Sequence, residues 1–330
     1  MTTKQKILLT DHPWPDVSIE AEVCGAAGYE LIAAQIDAGR AAEVEALVAE
    51  HNPIAIMTCW ALVSAKAIQL PAELRIVSRM GVGLDNIDVA AATQRRAWVT
   101  NVPDYCYEEV SDHAIAMLLN QWRGIDKFNR EVKAGRWQPS TAKLRRVREM
   151  TVGIIGYGYI GQATARKLSQ GFGCRVLVTS RGLLKQHGSG AELATGVCVA
   201  DIATIQSQAD AIVLHLPLAS DNRHMIDTAF LAACKRKPLL INVSRGGLVD
   251  NAALIRALDA GQISGAALDV VEGEPSPPIE VVGRADVIVT PHIAFTSDAA
   301  LNELRRRCAE EVVRVLRGEP PLHPCNKPVV

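Results

Sequence analysis

Two α/β domains are expected, a doubly wound parallel sheet inserted into a smaller α/β domain, and three features of the chain point to them. Short apolar runs of four or five residues alternate with amphipathic stretches along most of the 330 residues, the strand–helix alternation that builds parallel sheets covered by helices. Midway, the apolar run 152–155 meets Gly156, Gly158 and Gly161, and the apolar period then changes from two to roughly 3.6 residues. Finally, long helical patterns at 108–132 and 297–316 bracket the central part of the sequence.

Taken in order, strands are expected at 7–10, 29–33, 54–57, 75–78 and 97–100, with helices such as 41–49 and 86–94 between them. Asn101-Val-Pro-Asp104 punctuates the chain, because Pro103 cannot continue a strand ladder. The polar segment 134–148 is expected to loop over the surface. Strands are then expected at 152–155, 175–178, 211–214, 239–242, 266–269 and 287–289, with helices at 200–208, 228–234 and 251–260. That makes a sheet of six or seven strands. The last helix, 297–316, should return to the first domain. The expected fold is therefore a Rossmann-type sheet, 102–296, inserted into a flavodoxin-like domain made of 1–101 and 297–330.

The composition, 48% hydrophobic and 22% charged, is that of an ordinary globular chain long enough for two domains. A net charge of −1 gives no basic field for nucleic acid. Eight cysteines without a Cys-x-x-Cys pair or metal-type spacing imply reduced, mostly buried thiols and no metal site. No secretory segment and no apolar run of membrane-spanning length is visible, so a cytoplasmic protein is expected.

The glycine turn implies a dinucleotide. Gly156 allows the tight turn, Gly158 lets backbone approach a diphosphate, and Gly161 lets helix pack on strand, with Tyr159 and Ile160 opening that helix. The end of the second strand commonly carries an acid that binds the adenosine ribose 2′-OH. Here Thr179, Ser180 and Arg181 stand there instead. Hydroxyls and a guanidinium suit a 2′-phosphate, which a carboxylate would repel. NADP(H) is therefore favoured over NAD(H), the alternative being that Arg181 stacks on adenine or faces solvent. Leu216, Pro217, Val243, Ser244 and Ala294 follow later strands and join the cofactor-binding candidates.

Three polar groups sit at or past consecutive strand ends: Arg245, Asp269 with Glu274 five residues on, and His292. A ketone beside a carboxylate accepts hydride when a charge fixes the carboxylate, an electrophile polarises the carbonyl and a donor supplies a proton. Arg245 can grip the carboxylate, His292 can hold and release a proton near neutral pH, and Glu274 would raise its basicity and fix its tautomer. Asp269 would sit nearer the nicotinamide, holding its carboxamide or orienting Arg245. In the first domain, Cys59 and Trp60 follow the third strand, while Arg79, Gly81, Val82 and Gly83 follow the fourth, where glycines can turn backbone N–H groups toward an anion. These are the substrate-binding candidates.

The order Gly156-Tyr-Gly-Tyr-Ile-Gly161, Asn242-Val-Ser-Arg-Gly-Gly-Leu-Val-Asp250, Ala267-Leu-Asp-Val-Val-Glu-Gly-Glu-Pro275 and Thr290-Pro-His-Ile-Ala294 resembles the D-isomer-specific 2-hydroxyacid dehydrogenases over nearly the whole chain. The resemblance implies that Arg245, Glu274 and His292 are catalytic, that a small 2-oxo acid is the substrate, and that the protein is a homodimer built around the nucleotide domains. Arg79-Met-Gly-Val-Gly-Leu-Asp-Asn-Ile-Asp88 and Glu108-Glu-Val-Ser-Asp112 look most like the C-terminal binding protein branch. That branch implies a rival reading, an NAD(H)-binding corepressor or nucleotide sensor with little turnover. Thr179-Ser180-Arg181 and the lack of a long terminal extension depart from it.

Overall fold

The structure is a computed structural model in which residues 4–328 are described. The chain forms two compact units, one running up to Tyr105 and resuming at Ser297, the other Cys106–Thr296.

In the first unit, β1 (Lys6–Leu9), β2 (Glu30–Ala33), β3 (Ala55–Thr58), β4 (Ile76–Arg79) and β5 (Trp98–Thr100) form one sheet in the order β2-β1-β3-β4-β5. Every pairing is parallel, and the order is that of flavodoxin-like sheets. β3 and β4 are buried along their whole length, including the polar residues Thr58, Ser78 and Arg79 that close them, which is why neither shows an alternating pattern. Leu8, Ile56, Val77 and Val99 carry the core against α2 (Ala41–His51) and the short helices Ala65–Gln69 and Val89–Gln94. The C-terminal helix Asp298–Leu316 packs on β4 and on the helix Ser18–Ala26, where buried Arg305 makes bonds of 2.9 and 2.8 Å to the carboxylate of Glu20.

The central unit opens with helices Tyr107–Arg123 and Ile125–Lys133. The single helix expected over 108–132 is broken at Gly124, whose φ of 63° caps the first helix in the left-handed conformation. Its sheet contains β6 (Thr151–Ile155), β7 (Arg175–Thr179), β8 (Glu192–Ala194), β9 (Val197–Val199), β10 (Ala211–Leu214), β11 (Leu239–Asn242), β12 (Gly265–Leu268) and β13 (Val287–Val289), in the order β13-β12-β11-β10-β6-β7-β9-β8. Eight strands replace the six or seven expected. The additional strands, β8 and β9, have three residues each, too few to establish a period, and β8 pairs antiparallel at the edge. The strand order reverses at β6, which is the switch point where ligands gather in such sheets.

Side-chain caps explain where the helices of this unit begin. Ser180, Asp201, Asp227 and Asp250 each accept a backbone N–H of the first turn. Among the described residues, no helix is long and apolar enough to cross a membrane.

Candidate active site

The register of the central sheet places its candidate residues. Thr179 pairs with Ile155, Ile155 with Leu214, Leu214 with Asn242, Asn242 with Leu268, and Leu268 with Val289. Those six residues form one row at the carboxyl edge. The chain leaves that row at Ser180, Gly156, His215, Val243, Asp269 and Thr290, so groups scattered over more than a hundred positions share one edge.

At the switch point, Gly156 has φ of 102°, and a Cβ there would lie 2.0 Å from the carbonyl oxygen of His215. A Cβ on Gly161 would lie 2.3 Å from the oxygen of Gly156. Neither position has room for a side chain. Gly158 differs, because a Cβ there would meet nothing within 4 Å. It caps the helix Tyr159–Arg166, whose first amides open the turn. An open backbone at a helix N-terminus is what a dinucleotide diphosphate requires, so the turn fits the cofactor. Tyr159 is exposed and Ile160 half-buried.

Behind the turn lies His215, which sequence reasoning missed. Its Nε2 is 2.9 Å from the Thr164 hydroxyl, Nδ1 has no hydrogen-bond partner, and burial pushes its pKa down to about 3. The ring is therefore a neutral strut between β10 and the glycine-turn helix. A His closing an apolar strand was the available signal.

Past β7 the picture needs correction. Thr179 is buried at 3%, so its hydroxyl is not offered to a ligand. The Ser180 hydroxyl caps the next helix through the amide of Leu183, at 3.1 Å. Arg181 is 91% exposed and pairs with Asp221 at 2.8 Å. Of the three residues expected at a 2′-phosphate, Arg181 is exposed and Ser180 half-buried. Leu216 packs against the core beside exposed Pro217.

On the other side of the switch point, the backbone oxygen of Arg245 accepts from Asn242, and one guanidinium nitrogen donates to the Ser244 carbonyl at 2.7 Å. Val243 is buried, and the Ser244 hydroxyl bonds the Leu214 carbonyl. His292 Nδ1 lies 3.0 Å from Glu274 Oε1, with both side chains partly exposed. The ring stands edge-on to Phe295, centroids 6.1 Å apart. His292 has φ of 54°, a conformation uncommon outside glycine. Asp269, 2% exposed, holds that turn: its Oδ1 accepts from the Thr290 hydroxyl at 2.5 Å and the Ile293 amide at 2.9 Å, and its Oδ2 from the Ala294 amide at 2.9 Å. Asp269 was expected nearer the nicotinamide. Its carboxylate holds the segment that carries His292.

In the first unit the corresponding edge carries Asp11, buried at 5%, whose carboxylate takes the amides of Cys59 and Trp60 at 2.9 and 2.6 Å. Cys59 does not fit the pocket wall expected of it, being 2% exposed, with burial pushing its thiol up to about 12. Trp60 is half-buried. The Gly81 amide is taken by the Arg79 carbonyl, and the Arg79 guanidinium donates to the Met80 carbonyl. Among the described residues, the amides of Val82 and Gly83 make no hydrogen bond and Arg79 Nε has no partner. These are the donors an anion could use.

Comparison with known proteins bears on this geometry. A family profile described as D-isomer specific 2-hydroxyacid dehydrogenase, NAD binding domain, matches residues 115–294. A glyoxylate reductase of Korarchaeum cryptofilum is 36% identical over 287 residues, covering 83% of this chain and 85% of that protein. The NADPH-dependent glyoxylate/hydroxypyruvate reductase of Sinorhizobium meliloti, solved with NADP and malonate, is 29% identical at a TM-score of 0.82, covering 98% of this chain and 97% of that one. D-lactate dehydrogenase of Aquifex aeolicus, solved with NAD and lactic acid, is 26% identical at a TM-score of 0.81, covering 95% and 96%. A glycine turn at the switch point and an arginine, a carboxylate and a histidine past the later strands thus coincide with a family profile over more than half the chain, and the protein is an oxidoreductase belonging to the D-isomer-specific 2-hydroxyacid dehydrogenases.

Proposed function

We propose that the protein reduces a small 2-oxo acid to its D-2-hydroxy acid, preferring NADPH, and runs in reverse with NADP. The observation that carries this reading is the His292–Glu274 pair, 3.0 Å apart, with His292 on a turn anchored by Asp269. The glycine turn would hold the diphosphate, with Arg181 and Ser180 at a 2′-phosphate. When bound, the nicotinamide supplies the hydride.

The chain's own residues supply the rest. The strands that lead to Arg245 and His292, β11 and β13, lie two spacings or about 10 Å apart, a gap that two side chains and a small substrate can fill. The guanidinium would grip the carboxylate and polarise the ketone oxygen. With Nδ1 engaged by Glu274, Nε2 is the nitrogen assigned to deliver the proton, and the carboxylate holds the ring in that orientation.

Glyoxylate, hydroxypyruvate, pyruvate and phenylpyruvate, each assayed with NADPH and NADH, test this proposal. Turnover of at least one is expected, faster with NADPH. Arg181→Ala should remove much of the preference, since a charge-assisted bond to a phosphate is worth about 1.5–3 kcal/mol, roughly ten- to a hundredfold in kcat/KM. An unchanged cofactor ratio in that variant would refute the role of Arg181.

We also propose a homodimer. Ile125, Val132, Trp137 and Leu144 lie within 20 residues of one another and are 59%, 46%, 80% and 38% exposed, and Ile125–Lys133 has no buried residue. Exposed apolar patches of this kind mark interaction surfaces. Sedimentation should give twice the mass of the chain; a monomer would refute it.

A further inference from the structure

We propose that His113, in the helix Tyr107–Arg123, is a positioning residue that acts on His292 through Thr290 and Asp269. This rests on the reading of His292 as the proton donor. Its Nε2 lies 2.9 Å from the Thr290 hydroxyl oxygen and 3.6 Å from Asp269 Oδ1. Proton accounting fixes the direction. Thr290 has one hydroxyl proton, and the ionised Asp269 carboxylate can only accept, so that proton lies in the 2.5 Å bond to Oδ1. His113 Nε2 must therefore carry a proton and donate it to the same oxygen. A chain results, from imidazole N–H through hydroxyl to carboxylate, and hydrogen bonds in series polarise one another.

What the chain holds is the turn from Thr290 to Ala294. The carboxylate grips it at Thr290, Ile293 and Ala294, and the Asp269 carbonyl accepts the His292 amide at 2.8 Å. A non-glycine residue with φ of 54° costs energy and persists only where its surroundings over-determine it. The helix supplies a fixed base for this. Eight residues beyond His113, Gln121 Nε2 donates to the Ala266 carbonyl at 3.3 Å, near the start of β12, while His113 reaches the residue that follows its end. Eight helical residues span about 12 Å and the three steps from Ala266 to Asp269 about 10 Å, so the helix lies along β12 and is pinned at both ends.

Four variants, His113→Leu, His113→Gln, Thr290→Val and His292→Gln, are compared by kcat, KM, NADPH dissociation constant and melting temperature. Gln can place a donor where Nε2 stood, and Leu cannot. His113→Leu and Thr290→Val should lower kcat ten- to a hundredfold, with KM and NADPH affinity within threefold of the parent, and His113→Gln should recover most of the loss. A parental kcat in His113→Leu, or equal impairment in Leu and Gln, would overturn the proposal. So would a loss of kcat, affinity and melting temperature together. Full activity in His292→Gln would sink the underlying reading, whereas an inactive His292→Gln beside a parental His113→Leu would sink this inference alone. Long-range proton–nitrogen NMR of the unliganded, histidine-labelled protein gives an answer independent of turnover: His113 should carry its proton on Nε2, and a bare Nε2 would contradict the chain.

Discussion

Replacing His292 by Gln should lower kcat by roughly 10² to 10⁴, about 3–5 kcal/mol of transition-state stabilisation, and leave the NADPH dissociation constant nearly unchanged. Gln keeps a polar group of similar reach but cannot release a proton near neutral pH. Glu274→Gln should be milder, because the bond to Nδ1 at 3.0 Å can survive while only the negative charge beside the ring is lost. Steady-state kinetics with fluorescence titration of NADPH separates the two quantities. Near-parental kcat in His292→Gln would assign the proton to another group.

A second large effect is expected in the glycine turn, and it divides between two neighbouring glycines. Gly156→Ala would put a methyl group 2.0 Å from the His215 carbonyl oxygen, at a φ of 102° that costs about 1–3 kcal/mol before any collision. Both sides of that contact are backbone, so β6 and β10 would have to separate. The melting temperature should fall by several degrees and NADPH binding should be lost. At Gly158 the added Cβ meets no protein atom within 4 Å. Gly158→Ala should therefore melt like the parent when unliganded, yet bind NADPH at least tenfold more weakly. Calorimetry with and without NADPH measures both. Equal loss of stability in the two variants would contradict the division of roles.

How much of this was legible in the sequence follows from where information resides along the chain. The row Ile155, Leu214, Asn242, Leu268 and Val289 could be anticipated because each strand is a short apolar run that stops at a polar residue or glycine. Arg245, Asp269 and His292 stood out for that reason. The break at Gly124 was hidden because the apolar pattern continues in phase on either side of it, and one positive φ leaves no mark on periodicity. β8 and β9 are shorter than any period that could announce them.

Burial was the other blind spot. Thr179 and Cys59 occupy strand-end positions where a side chain can turn in or out, and at 3% and 2% exposure both turn in. Residues that act by holding others were equally silent. Asp11, His113 and His215 belong to no local motif, and their roles depend on partners 48, 177 and 51 positions away.

The most direct test of the central claim uses NADPH deuterated on the transferred position with pyruvate or phenylpyruvate, the product being examined by mass spectrometry and chiral chromatography. The account predicts one deuterium on C2 of a D-2-hydroxy acid, formed by the parent protein and lost in parallel with kcat in His292→Gln. An L product, or no labelled hydroxy acid from any 2-oxo acid while NADPH remains tightly bound, would contradict it.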